Sequence, residues 1–139
     1  MASSLKFMKS ATAQVLTCGE KPFDLKLRTK DFALRIIALY RKMPRTEEAR
    51  IIGRQILRSG TSIGANYRAA CRSRSKAEFI SKMGIVLEEA DETVFWLELL
   101  IHANVFPNSR VASLLTEANE LTSIFVSSLR TSKGLESTS

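Results

Sequence analysis

Apolar residues along this chain recur at steps of three and four, and the strict alternation of a half-buried strand is nearly absent. Pro22, Pro44 and Pro107 punctuate the pattern and cut it into helical segments. The first segment starts within 24–29 and ends near Lys42, with Phe32, Ala33, Ile36, Ile37, Tyr40 and Met43 on one face. Arg41 and Lys42 suit the negative end of its dipole. The second begins near Thr46, a suitable cap followed by Glu47 and Glu48, and runs to about Arg72. Its later half is small-sided: Gly60, Ser62, Gly64, Ala65, Ala69 and Ala70. A glycine costs about 1 kcal/mol in a helix interior. Two of them four apart predict either close approach of a neighbouring helix or a local kink. The third segment opens on Ser75-Lys-Ala-Glu78, the form of a capping box. Phe79, Met83, Val86, Ala90, Val94, Leu97 and Ile101 then make a long stripe of the kind that packs helix bundles. The fourth follows Pro107 with Asn108 or Ser109 as cap, and faces inward through Val111, Leu114, Leu115, Ala118, Leu121, Phe125 and Leu129.

Four amphipathic helices with short connections predict an all-α fold, an antiparallel up-down-up-down four-helix bundle over residues 24–132. The second and third helices form its long hairpin, with Arg72-Ser-Arg-Ser75 at the tip. A length of 139 residues suits one domain. Residues 1–23 read as a flexible leader and 133–139 as a fraying tail. The leader imitates a signal peptide, but its apolar stretch is short and broken by Thr12 and Gln14. No run has the length of a membrane span, so no membrane partner is expected. Cys18 and Cys71 form neither a disulfide framework nor a metal-ligand spacing, and a reducing cytoplasm is the expected compartment.

Charge changes this picture more than composition does. Net charge is +7, yet residues 21–82 carry +11 and residues 83–139 carry −5. The basic part points to polyanions, and the split also suits self-association of acidic on basic surface. Arg50, Arg54 and Arg58 recur every four residues on one face of the second helix. Arg68 and Arg72 repeat the spacing, followed by Arg74, Lys76 and Lys82. Arginine suits bidentate contact with phosphate, and the hydroxyls and free amides around Ser73 and Ser75 add an anion-friendly helix start. Aromatic side chains for base stacking are scarce, so backbone-directed binding is favoured over single-strand reading. The plainer alternatives are a solvated face, or arginines spent on pairs between subunits with the Glu88–Glu92 cluster.

Catalytic chemistry finds little support. His102 is the one histidine, four residues after Glu98, whereas di-metal bundles need a Glu-x-x-His on each of two helices. The acidic run Glu88–Glu92 lies on a straight helix and not on a turning loop, so no metal is expected. No phosphate-binding glycine motif and no nucleophile elbow occurs. Cys71 beside Arg72 and Arg74 is either an activated thiol or, more commonly, a small packing residue. No cofactor and no enzymatic activity are expected.

Three segments carry a family resemblance: Arg28-Thr-Lys-Asp-Phe-Ala-Leu-Arg35, the run from Gln55 to Arg68, and Arg74-Ser-Lys-Ala-Glu-Phe79. Glu89-Ala-Asp-Glu92 and Trp96-Leu-Glu-Leu-Leu100 extend it. In order and spacing these resemble bacterial four-helix-bundle proteins that include products of intervening sequences in large-subunit ribosomal RNA genes. Ala69 departs from the family pattern, where an acidic residue often follows the Tyr-Arg pair. The resemblance implies a ring-shaped homopentamer and kinship with the accessory protein of diversity-generating retroelements, hence RNA or DNA and a reverse transcriptase or other protein as partners. It implies no reaction.

The combined reading is a non-enzymatic oligomeric bundle that binds nucleic acid through Arg50, Arg54, Arg58, Arg68, Arg72, Arg74, Lys76 and Lys82. Gly60, Gly64, Asn66, Tyr67, Glu89, Glu92 and Trp96 are its expected subunit interface. The alternative is an interaction scaffold whose basic face serves a subunit or a partner protein.

Overall fold

The computed structural model describes residues 24–134. The expected leader (1–23) and the last part of the tail lie outside them. Four helices make up the described chain, with no strand among the described residues: α1 (Leu25–Arg41), α2 (Glu47–Cys71), α3 (Lys76–His102) and α4 (Asn108–Ser132). Each packs against its successor, and α1 also meets α4, which makes a four-helix bundle.

Helix starts follow from local chemistry, with two differences from the expected caps. Asp24 and Thr46 accept hydrogen bonds from the amides of Lys26 and Ala49, satisfying otherwise orphaned donors at the starts of α1 and α2. Ser75 Oγ accepts from the Glu78 amide at 3.0 Å, as a capping box requires. The Glu78 carboxylate, however, reaches back one residue further than that motif predicts and accepts from the Arg74 amide at 2.9 Å. At α4 the cap position is Pro107 and no side chain caps the helix. Asn108 is already helical there, because the fixed φ of the preceding proline directs the chain into the first turn.

The core takes Phe32 and Ile36 from α1, Ile56 and Ile63 from α2, Met83 and Leu97 from α3, and Leu121 and Phe125 from α4. The buried stripe of α1 is Leu25, Thr29, Phe32, Ile36 and Leu39, rotated from the expected face so that Ile37 and Tyr40 lie at its edge. In α3, Thr93 and Leu100 are buried where Val94 and Ile101 were expected. Thr93 Oγ1 lies 2.9 Å from Ser59 Oγ and 2.8 Å from the Glu89 carbonyl oxygen. These contacts satisfy a polar group that would otherwise be costly at a fully buried position.

Close approach of α1, not a kink, explains the glycines of α2. A Cβ added at Gly60 would stand 2.9 Å from Ile36 Cγ1, and one at Gly64 would stand 3.2 Å from Thr29 Oγ1. A Cβ at Gly53 would meet Met43 Sδ at 3.1 Å and the Tyr40 ring at 3.2 Å. The partners descend along α1 as the glycines ascend along α2, so this pair runs antiparallel. Gly84 of α3 differs, since nothing lies within 4 Å of an added Cβ. Gly84→Ala is therefore expected to stabilise by up to about 1 kcal/mol through helix propensity alone. Gly60→Ala gains the same propensity but forces a buried, β-branched isoleucine aside, an overpacking cost of about 1–3 kcal/mol. Urea unfolding of both variants checks this; shifts of the same sign would contradict the close contact.

Candidate nucleic-acid interface

One long face of α2 carries most of the predicted basic set. Arg54 and Arg72 stand 18 positions apart, five helical turns, and so point the same way. Arg50, Arg58 and Arg68 lie within about 40° of that line at 100° per residue. All five arginines are exposed, as are Arg74 and Lys76 just beyond the helix end. Among the described residues, Arg54, Arg68, Arg72, Arg74 and Lys76 form no ion pair. Arg50 and Lys82 make pairs within their own helices, to Glu47 at 3.7 Å and to Glu78 at 3.2 Å. Such solvent-screened pairs contribute little and release readily to a stronger anion.

Arg58 is different. Its Nη2 donates to Glu92 Oε2 at 2.6 Å, and its Nη1 lies 3.7 Å from Glu89 Oε1. The same Glu92 oxygen accepts from Trp96 Nε1 at 3.0 Å. Two carboxylates therefore face the Arg58 guanidinium, and the middle of the basic line is neutralised within the chain. This pairing lies within one chain, between α2 and α3, and not between subunits. The expected stripe becomes two patches, one around Arg50 and Arg54 and one around Arg68, Arg72, Arg74 and Lys76. Arg54 and Arg68 are about 21 Å apart along the axis at 1.5 Å per residue.

The turn between α2 and α3 has donors already engaged within the chain. At the expected anion-friendly start of α3, the Glu78 carboxylate accepts from the Arg74 amide just before the cap, and Ser75 Oγ accepts from the Glu78 amide. The Arg74 amide and the Lys82 ammonium hold that carboxyl below its ordinary range.

At the other end of α2 lies a cleft of about 470 Å³, lined by Tyr40, Arg41, Met43, Pro44, Arg45, Ala49, Arg50 and Arg54. Sequence reasoning missed Arg41 and Arg45 as site residues. Arg41 had a sufficient explanation as a C-terminal helix cation, and the turn at Pro44 that folds both toward α2 is a tertiary feature.

The expected subunit interface divides in the same way. Gly60, Gly64 and Tyr67 are buried inside the bundle, the first two against α1 and Tyr67 against the Phe125 ring at 6.2 Å. Burial pushes the Tyr67 phenol up to about 12, so it stays protonated at neutral pH. Asn66, Glu89, Glu92 and Trp96 keep partial exposure. Cys71 is half-buried against the core, the common packing role of a small residue of this kind. His102 is exposed at the end of α3, and no metal-binding group of three ligands occurs among the described residues.

Glu92 and Glu89 respond to pH in opposite senses. Hydrogen bonds from Trp96 and Arg58 lower the Glu92 carboxyl, whereas burial raises that of Glu89. For Glu92 the unfolded chain binds more protons, so its contribution is present above the unfolded value of about 4.3 and is lost as pH falls through the folded value. For Glu89 the folded chain binds more protons, so stability declines as pH rises from the unfolded to the raised value. Glu92→Gln is expected to destabilise at neutral pH and Glu89→Gln to stabilise, both differences vanishing in acid. Urea unfolding from about pH 3 to pH 7 checks the pair, and shifts of equal sign at neutral pH would contradict it.

The family model for 23S rRNA-intervening sequence proteins matches residues 23–127. The chain belongs to this family. A similar solved structure is a Bacteroides thetaiotaomicron protein of unknown function from the S23 ribosomal protein family. It is 39% identical, covers 76% of this chain and 97% of its own, and superposes with a TM-score of 0.70. No curated protein matches the chain. The family match spans all of α1, α2 and α3 and most of α4, so both basic patches belong to the family fold. The family description names no reaction. No helix among the described residues is long and apolar enough to cross a membrane.

Proposed function

We propose that this protein is a non-enzymatic, cytoplasmic, oligomeric bundle that binds RNA or DNA by its phosphate backbone. The observation that carries the reading is the contrast along α2. Arg58 is answered by two carboxylates, while Arg54, Arg68, Arg72, Arg74 and Lys76 on either side are exposed and without an ion pair among the described residues. A separation of about 21 Å is roughly six steps along a nucleic-acid strand at 3.4 Å each, so one α2 face reaches phosphates at two points. The family's connection with ribosomal RNA genes agrees with such a ligand.

The bundle is antiparallel and up-down-up-down in this reading, and assembles as a ring-shaped homopentamer. Exposed Ile85 and Phe95 of α3 share the outward face of Glu92, and exposed Ile51 lies two turns before Arg58 on α2. Apolar side chains beside an ion-paired seam suit contact between copies. Asn66, Glu89, Glu92 and Trp96 border that face. A reverse transcriptase or another protein would then meet the assembled ring.

Photocross-linking to RNA that carries 4-thiouridine, with mass spectrometry of the adducts, tests the contact surface. Adducts on peptides containing Arg50–Arg54 and Arg68–Lys76 are expected. Adducts confined to α4 would refute the assignment.

A further inference from the structure

The α1–α2 corner holds more positive charge than a single backbone phosphate needs. Arg41 closes α1, Arg45 sits in the turn, and Arg50 and Arg54 stand on successive turns of α2. All four arginines line one cleft of about 470 Å³, a volume within the usual range for small-molecule sites. Among the described residues, no carboxylate borders it. The one ion pair of the set among the described residues joins Glu47 to Arg50 at 3.7 Å, with both side chains exposed. The floor is built, not incidental. Gly53 lacks a Cβ, which lets the Tyr40 ring and the Met43 sulfur lie within 3.1–3.3 Å of where that atom would be. This close packing seats the end of α1 on α2, and Arg41 and Arg45 line the same cleft as Arg50 and Arg54.

Four like charges around one cavity repel each other at no benefit to the fold. A phosphodiester carries a single negative charge and leaves most of that repulsion in place. A chain of adjacent phosphates carries three to four, and each phosphoryl group matches the planar fork of an arginine. We propose that this cleft binds a terminal polyphosphate. Two sources share this chemistry: a free nucleoside triphosphate and the 5′-triphosphate end of an RNA. Tyr40, half-buried at the wall, offers a ring and a hydroxyl to whatever follows the phosphates. The inference rests on the phosphate-binding reading of α2 and narrows the ligand at one of its two ends.

Isothermal titration of the full chain with inorganic tripolyphosphate tests the cleft directly. One ligand per chain is expected, weakened by salt. Arg41→Glu with Arg45→Glu is expected to lower the affinity by about tenfold or more, and Arg72→Glu with Arg74→Glu to change it by less than about twofold. All four are exposed, and circular dichroism verifies that the helices persist. ATP against 5′-triphosphate RNA, with 5′-hydroxyl RNA of the same sequence as reference, separates the sources. Competition by ATP identifies the free nucleotide, and preference for the triphosphate RNA over both identifies the RNA end. No tripolyphosphate binding, or equal loss in both variants, overturns the inference. If 5′-hydroxyl RNA still binds, the general nucleic-acid reading survives that result. Tripolyphosphate binding with no affinity for 5′-hydroxyl RNA supports the cleft and sinks the general reading.

Discussion

Phe125→Ala is expected to destabilise the bundle by about 3–5 kcal/mol, the range for an aromatic removed from a close-packed core. Phe125 has no exposed surface, and its ring stands 6.2 Å from that of Tyr67 on α2. It thus couples the last helix to the second across the centre of the molecule. Truncation removes the buried ring area and leaves a cavity that Tyr67, itself 3% exposed and pinned in α2, is poorly placed to fill. Against a total stability of about 5–15 kcal/mol, this is a large share. Val126, next in sequence and 38% exposed, provides the control. Val126→Ala is expected to change stability by less than about 0.5 kcal/mol. Urea unfolding followed by circular dichroism measures both. A loss below about 1 kcal/mol for Phe125→Ala would mean that α4 is not docked as described.

The second large effect is on binding. Reversing Arg68, Arg72, Arg74 and Lys76 together to glutamate is expected to reduce nucleic-acid affinity by about a thousandfold or more at low salt. Each substitution deletes a phosphate contact and adds a repulsive charge. Fold stability should change little, because all four side chains are exposed and none forms an ion pair among the described residues. Arg58→Glu is a different experiment. It places a third carboxylate against Glu89 and Glu92 and strips Glu92 of a hydrogen bond, so it strains the α2–α3 seam itself. Separate unfolding and binding measurements distinguish the two. Retained affinity in the quadruple variant would remove the turn from the interface.

What was legible in the sequence was mostly local. Thr46 and Ser75 as helix caps and the ends of α2 follow from short-range chemistry, and the structure shows each. The choice between close approach and a kink at Gly60 and Gly64 needed the position of α1. The inner face of α4 was readable because its apolar residues have polar neighbours at most flanking positions. Along α3 the periodicity blurred, since Val94 and Ile101 sit beside the positions that are actually buried, Thr93 and Leu100. A polar Thr93 in the core is intelligible once Ser59, 34 positions earlier, is seen opposite it. The same distance in sequence hid the state of Arg58, whose partner Glu92 is also 34 positions away. Charge spacing marked a basic face but not which of its members the fold had already answered. Arg41 and Arg45 escaped notice because the cleft they border exists only after α1 turns back on α2.

The most direct test of a phosphate-binding face is fluorescence anisotropy of labelled RNA and duplex DNA over a salt series. The account predicts binding at low salt that weakens linearly on logarithmic axes, with a slope of about −0.9 for each phosphate contacted on duplex DNA. If Arg50, Arg54, Arg68, Arg72, Arg74, Lys76 and Lys82 all make contact, the slope reaches about −6 per chain, and the quadruple variant should flatten it to about −3. Absence of binding at low salt, or binding indifferent to salt, would contradict the account and assign these cations to protein contacts.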